Sequence, residues 1–253
     1  LVKIIGKSIR LGADRNVRGQ RANEILRDTT FSRHFYFAEL EVSEEQFSHY
    51  TGKPTASKLP VTGVSWEEAA KYCNYLSRKE GLPSFYTLRN NRVVGWDTAS
   101  IGYRLPTEAE WEYVASKLNK RKRSLFVWGD DYKIPEQNFG NLADKEAEGK
   151  AKKIISDRSD GYAERAPVGF SKQVGDITDL SGNVSEWVHD YYSVAVPVNQ
   201  PLLDYLGPVR GRQHFVKGSN YLSSSWTELR NSYREPIDGA RADVGFRVAR
   251  YVF

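Results

Sequence analysis

The sequence predicts a compact, loop-rich fold in which capped helices alternate with short strands. Three observations carry that reading. Ser43, Ser65 and Thr107 are followed three residues on by Gln46, Glu68 and Glu110 respectively. Each pair is a capping box, in which the hydroxyl accepts an unpaired first-turn N–H and the third side chain bonds back. Short alternating or aromatic runs near both ends and in the middle read as strands. Aromatic residues make up 13% of the chain, with six Trp and fifteen Tyr, which favours a compact, loop-rich fold held by large rings.

At 253 residues the chain can bury a substantial core. No run approaches the roughly 18 apolar residues of a membrane span, so no transmembrane segment is expected. The net charge is +5, from 37 basic and 32 acidic residues. That balance supports solubility and weak anion attraction rather than nucleic-acid recognition. Cys73 is the single cysteine, which leaves no intramolecular disulfide framework. The chain starts at Leu1, contains no Met and has no leader pattern, and is expected to be an excised or processed segment.

Taken in order, residues 2–11 read as a strand ended by Gly12. Arg15, Arg18, Arg21 and Arg27 follow in a polar stretch that reads as a solvated loop more than as an anion-binding face. Residues 35–42 form an aromatic strand, Ser43 caps a short helix and Gly52 stops it. Ser65 caps a longer helix whose Trp66, Ala69, Ala70, Cys73 and Leu76 share one face, which makes Cys73 a core residue rather than a nucleophile. Asn90-Asn91 suits a hairpin turn. Thr107 then caps a helix that buries Trp111, Val114 and Ala115. Lys117, Lys120, Arg121, Lys122 and Arg123 have no interleaved aromatic residue to stack a base, so they read as a solvated helix end or loop.

Residues 126–168 turn polar and irregular. Asn138, Asn141, Asp144, Asp157 and Asp160 offer hard oxygen ligands of the kind calcium takes, or are ordinary turn formers. Residues 179–188 read as a Gly-centred turn feeding an aromatic strand. Asn183-Val-Ser185 within it formally matches a glycosylation acceptor, against which its place beside Trp187 argues for burial. Residues 191–211 read as a long connection, and residues 245–253 as a strand that pairs with the first.

These stretches together resemble the formylglycine-generating enzyme superfamily, the sulfatase-modifying-factor domain. The resemblance spans nearly the full chain. Its motifs occur in the family's order at residues 64–77 (VSWEEAAKYCNYLS), 102–113 (GYRLPTEAEWEY), 128–129 (WG), 160–162 (DGY), 166–168 (APV), 182–187 (GNVSEW) and 245–248 (GFRV). It implies a single α+β domain, residues 1–253, related to C-type lectins, with several twisted sheets, few helices and much ordered loop.

Enzymes of that family oxidise a substrate cysteine with a copper-binding cysteine pair placed after a motif that corresponds to residues 217–222 (KGSNYL). The resemblance puts Ser223 and Glu228 at the two cysteine positions. Hydroxyl and carboxylate are poor ligands for a soft cuprous ion, so no copper is expected and no catalytic residue is assigned. The related sulfoxide synthases use iron-binding His, and His34, His49, His189 and His214 lack the His-x-x-x-His spacing. The family's structural calcium maps onto Asn141, Leu142, Asp160 and Tyr162, and a second calcium onto Asn183 and Glu186.

Two functions follow from the resemblance. The first is a non-catalytic binding or scaffolding module for a protein, peptide or glycan, with a groove formed by Asn220, Tyr221, Ser223, Trp226, Glu228, Asn231 and Tyr233. The same residues can instead fill the vacated catalytic groove. The second is an enzyme with an altered site around Ser223 or Glu228, although no His or Lys is placed by spacing to activate the serine. The resemblance favours a periplasmic, envelope-associated or secreted location.

Overall fold

The computed structural model describes residues 1–136, 139–194 and 200–253. In chain order its elements begin with β1 (Val2–Ile4), β2 (Ser8–Leu11), β3 (Arg27–Thr30) and β4 (Phe35–Phe37). Then come α1 (Glu44–Thr51), α2 (Trp66–Lys79), β5 (Tyr86–Arg89), β6 (Arg92–Trp96) and α3 (Glu108–Ser116). A 3-10 turn (Lys145–Ala147) precedes β7 (Lys172–Val174), β8 (Ile177–Thr178), β9 (Ser185–Tyr191) and β10 (Leu202–Leu203). The chain closes with β11 (His214–Lys217), α4 (Trp226–Leu229), β12 (Glu235–Ile237), β13 (Val244–Gly245) and β14 (Ala249–Tyr251).

The strands make small sheets ordered β1-β4-β14, β10-β3-β2 and β12-β11-β9-β13, with β5-β6 and β7-β8 as two-stranded ribbons. Few helices and several small sheets give the α+β architecture that the resemblance implies. All three predicted capping boxes form, and a fourth forms at Ser225. Gly52 ends α1 in the left-handed conformation that favours glycine. Asn90 and Asn91 take φ of 49° and 58°, the two positive values a tight hairpin turn requires.

Four strand and loop boundaries differ from expectation, each for a tertiary reason. Residues 2–11 are two strands in different sheets, broken where Gly6 lies so close to Phe31 that a Cβ would come within 2.9 Å of its ring. The aromatic strand ends at Phe37, after which Ala38 and Val42 bond to Val248 and Phe246 outside any regular ladder. The last run splits: β13 lies parallel to β9 and β14 antiparallel to β4. First and last strands therefore share a sheet without touching, because β4 lies between them. The basic stretch before β3 is not fully solvated either. Glu24 and Arg27 are buried, paired with Arg230 and Glu108 respectively. Partners so distant in sequence leave no trace in a local charge pattern.

Three of the sequence motifs meet in one buried network. Glu186, on β9, receives Nε and Nη2 of Arg247 at 2.7 and 2.6 Å and the Trp111 indole N–H at 2.9 Å. Arg247 also donates to the carbonyls of Ala38, Glu39 and Thr178. Close by, Glu110 closes the α3 capping box and takes both Nη groups of Arg104 at 2.6 Å. Planar guanidinium forks of this kind fix the angle between elements as well as neutralising charge. This frame carries the loop that follows β11.

Candidate functional site

Beyond β11 the chain turns at Gly218, where φ is +78° and a Cβ would lie 3.0 Å from the Trp111 ring. Asn220 then donates to Ser185 Oγ and Asp243 Oδ2, both at 2.9 Å, and accepts the Leu222 N–H. Tyr221 reaches the Ala242 carbonyl. The Ser223 hydroxyl accepts the Asn220 N–H at 3.1 Å, and its bonds among the described residues include no His, Lys or carboxylate that could take its proton. Glu228 closes the capping box of α4, accepting from Ser225 Oγ at 2.6 Å and Ser225 N–H at 3.1 Å. Asn231 donates to the Ser124 carbonyl, and Tyr233 accepts from Arg21.

Asn220, Tyr221, Ser223, Asn231 and Tyr233 are all buried. An open groove built from them is not what forms. They fill the interior, and Glu228 is committed to a helix cap. Trp226 is the exception. It is half-buried, meets Phe126 and Tyr132 edge-on, and lines a cavity of about 520 Å3 with Tyr132, Ile134, Pro135, Ile155 and Arg158. Arg158 straps that wall together, donating to the carbonyls of Pro135, Phe139 and Gly140 at 2.7–2.9 Å.

The residues expected to bind calcium are brought together beside this wall. Asp160 accepts the N–H groups of Leu142 at 2.9 Å and Tyr162 at 3.0 Å. Asn141 is fully buried. Its amide N–H2 donates to the Glu164 carbonyl and to Asn183 Oδ1, which fixes its orientation and leaves Oδ1 buried without a donor. An orphaned oxygen of this kind suits a hard cation. Asp144 and Glu146 join Asp160 in a cluster whose ligand oxygens lie within 4.8 Å of one another. Burial first, then the Glu146 bond and the Asp160 charge, push Asp144 up to about 7, and burial also raises Asp160. A divalent cation would relieve that crowding. Asp157 lines the cavity under Trp226, and Asn138 lies outside the described residues.

Asn183 and Glu186 do not fit a second calcium. The Arg247 guanidinium already holds the Glu186 carboxylate, and Asn183 accepts the Ala166 N–H while donating to Glu41 at 2.6 Å. Asn183 is fully buried, as its place beside Trp187 suggests.

Residues 5–252 match the family described as the sulfatase-modifying factor enzyme 1-like domain. The chain belongs to this family. Among relatives of this sulfatase-modifying-factor domain, Chaperone protein LppX of Paenibacillus barcinonensis is 30% identical over 240 residues, covering 85% of this chain and 80% of that protein. The formylglycine-generating enzyme of Mus musculus is 29% identical over 197 residues, covering 76% of this chain. This chain spans about half, 50%, of that enzyme's length. The solved structure of Treponema denticola variable protein 1 superposes with a TM-score of 0.72 at 22% identity, covering 99% of this chain and 94% of that one, a likeness of fold.

Within the sulfatase-modifying-factor domain, sequence reasoning missed Glu146 and the cavity wall of Tyr132, Ile134, Pro135 and Ile155. The irregular run from Phe126 onward carries no periodicity that would assign a face, although its rings (Phe126, Trp128 and Tyr132) do hint at a small separate cluster.

Proposed function

We propose that this chain is a non-catalytic sulfatase-modifying-factor domain that binds a peptide or protein ligand through the cavity under Trp226 and holds a structural calcium at Asn141, Leu142, Asp160 and Tyr162. One observation carries the first part: the chain has a single cysteine, Cys73, fully buried on α2, with its thiol pushed up by burial. Cysteine oxidation through a copper-thiolate pair needs two accessible thiolates, and there is no second sulfur to supply one. Ser223 and Glu228, which the resemblance puts at the cysteine positions, are a serine with no base bonded to it among the described residues and a member of the α4 capping box. Family membership leaves the question open, since the relatives include proteins named formylglycine-generating enzyme and one named a chaperone.

The ligand reading rests on Trp226 and Tyr132. Together with Ile134, Pro135 and Ile155 they make a mostly apolar concavity of a size that accepts a bulky side chain, with Lys133, Glu136 and Asp157 as a charged rim. Calcium would brace the segment that supplies one side of that wall.

Elemental analysis of the purified chain after dialysis against calcium and copper tests the reading. The expected content is about one calcium per chain and no stoichiometric copper. Calcium at a hundredfold excess over Kd is expected to stabilise the fold by about 2.7 kcal/mol. Asp160→Asn should abolish most of that gain. Stoichiometric copper, or a melting midpoint indifferent to calcium, contradicts it.

A further inference from the structure

A second cleft, of about 690 Å3, opens between the start of α2, the β5-β6 turn and the end of the four-stranded sheet where β11 begins. It shares no lining residue with the cavity under Trp226 and plays no part in the function proposed above. His214 is one wall of it. The imidazole lies between Trp66 and Tyr191, stacked at 3.6 Å and 7° on the first and at 4.1 Å and 27° on the second. Its Nδ1 is 3.1 Å from the carbonyls of His189 and Asp190. Carbonyls only accept, so Nδ1 carries the proton and Nε2 keeps a lone pair with no partner among the described residues. Burial between the rings pushes His214 down to about 3, so the ring stays neutral at physiological pH.

The rest of the lining narrows the ligand. Its carboxylates (Glu67, Glu68 and Asp238) balance its cations (Lys71, Arg92 and Arg212). Glu67 is tied to Lys71 at 3.0 Å and Arg92 at 3.6 Å, and Glu68 to Ser65. A ligand with net charge gains little there, and the Nε2 lone pair repels an anion. The side chains of Asn90, Asn91, Arg212, Gln213 and Asp238 make no hydrogen bond among the described residues, so donors and acceptors of both kinds face the cleft uncommitted. Hydroxyl groups, each a donor and an acceptor, match such a lining.

We propose that this cleft binds a neutral polyhydroxylated ligand, a saccharide unit, with His214 Nε2 accepting a hydrogen bond from one of its hydroxyls. Calorimetric titration and saturation-transfer NMR of the full chain with maltose, cellobiose and diacetylchitobiose as probes test it. At least one probe is expected to bind, and His214→Phe, which keeps a ring between Trp66 and Tyr191 but removes the lone pair, should weaken binding about tenfold. Asp238→Ala, on the exposed rim, should weaken it in the same direction and decides the matter if the phenylalanine variant does not fold. Trp226→Ala should leave saccharide binding intact. The proposal is overturned if no probe binds at about 10 mM, if His214→Phe, or Asp238→Ala in its stead, binds like wild type, or if inorganic phosphate binds in the cleft and saccharides do not.

Discussion

Replacing Arg247 by alanine is expected to cost about 3–5 kcal/mol of folding stability, a large share of what a domain has. The guanidinium is fully buried and makes two charge-assisted bonds to Glu186 while capping three backbone carbonyls. Without it Glu186 and the buried carboxylates of Glu41 and Asp179 keep no ion-paired cation among the described residues. Burial, with the charges of Asp179 and Glu186, already holds Glu41 well above the usual carboxylate range. The cost is mainly that of an unpaired buried charge, so Arg247→Met combined with Glu186→Gln should recover a good part of it. Urea denaturation of the single and double variants measures both effects. A single variant that loses less than about 1 kcal/mol would show that the network is not what holds these three motifs together.

The second large effect is one of pH. His214 in the folded chain stays neutral down to about 3, whereas an unfolded histidine takes a proton near pH 6.5. As pH falls from about 6.5 towards 3 the unfolded state binds the extra proton, so this residue's contribution to stability falls by at most about 1.4 kcal/mol per pH unit. His189, buried beside Arg104, acts in the same direction. Asp190 opposes them. Burial first, then the Glu108 charge, hold it up to about 7, so between about 4 and 7 it is protonated when folded and ionised when unfolded, and its contribution rises as pH falls. The raw pH profile therefore mixes opposite signs. The difference between wild type and His214→Phe isolates one of them: the variant should gain on wild type by up to about 1.4 kcal/mol per unit between pH 6 and pH 4. A pH-independent difference would mean that the stacked ring is free to protonate.

How much of this was legible in the sequence follows from how local each signal is. Ser43, Ser65 and Thr107 announce their helices because a capping box is closed within four residues. The Asn90-Asn91 turn is written in two. The α2 face is visible because periodicity is a property of one element. Glu24 with Arg230, Arg27 with Glu108 and Glu186 with Arg247 are contacts between remote segments, and no local pattern distinguishes such a charge from a solvated one. The same limit governs the site. Asn220, Tyr221, Ser223, Asn231 and Tyr233 are polar or aromatic residues of the kind that line grooves, yet their partners across the chain bury them. Trp226 looks no different in the sequence, and it alone of the seven borders the cavity. The cluster of Asp144, Glu146 and Asp160 needs the fold of residues 141–162 to bring its oxygens together. His214 needs two rings from distant elements to become a fixed acceptor.

On the reading proposed above, this fold works here without cysteine oxidation. The most direct test of that reading is incubation of the purified full chain with cuprous copper, oxygen and a cysteine-containing sulfatase-motif peptide, followed by mass spectrometry for the aldehyde. The expected result is no conversion above a protein-free control. Aldehyde formation that depends on the protein would contradict the account, because it would require a copper site built without the thiolate pair.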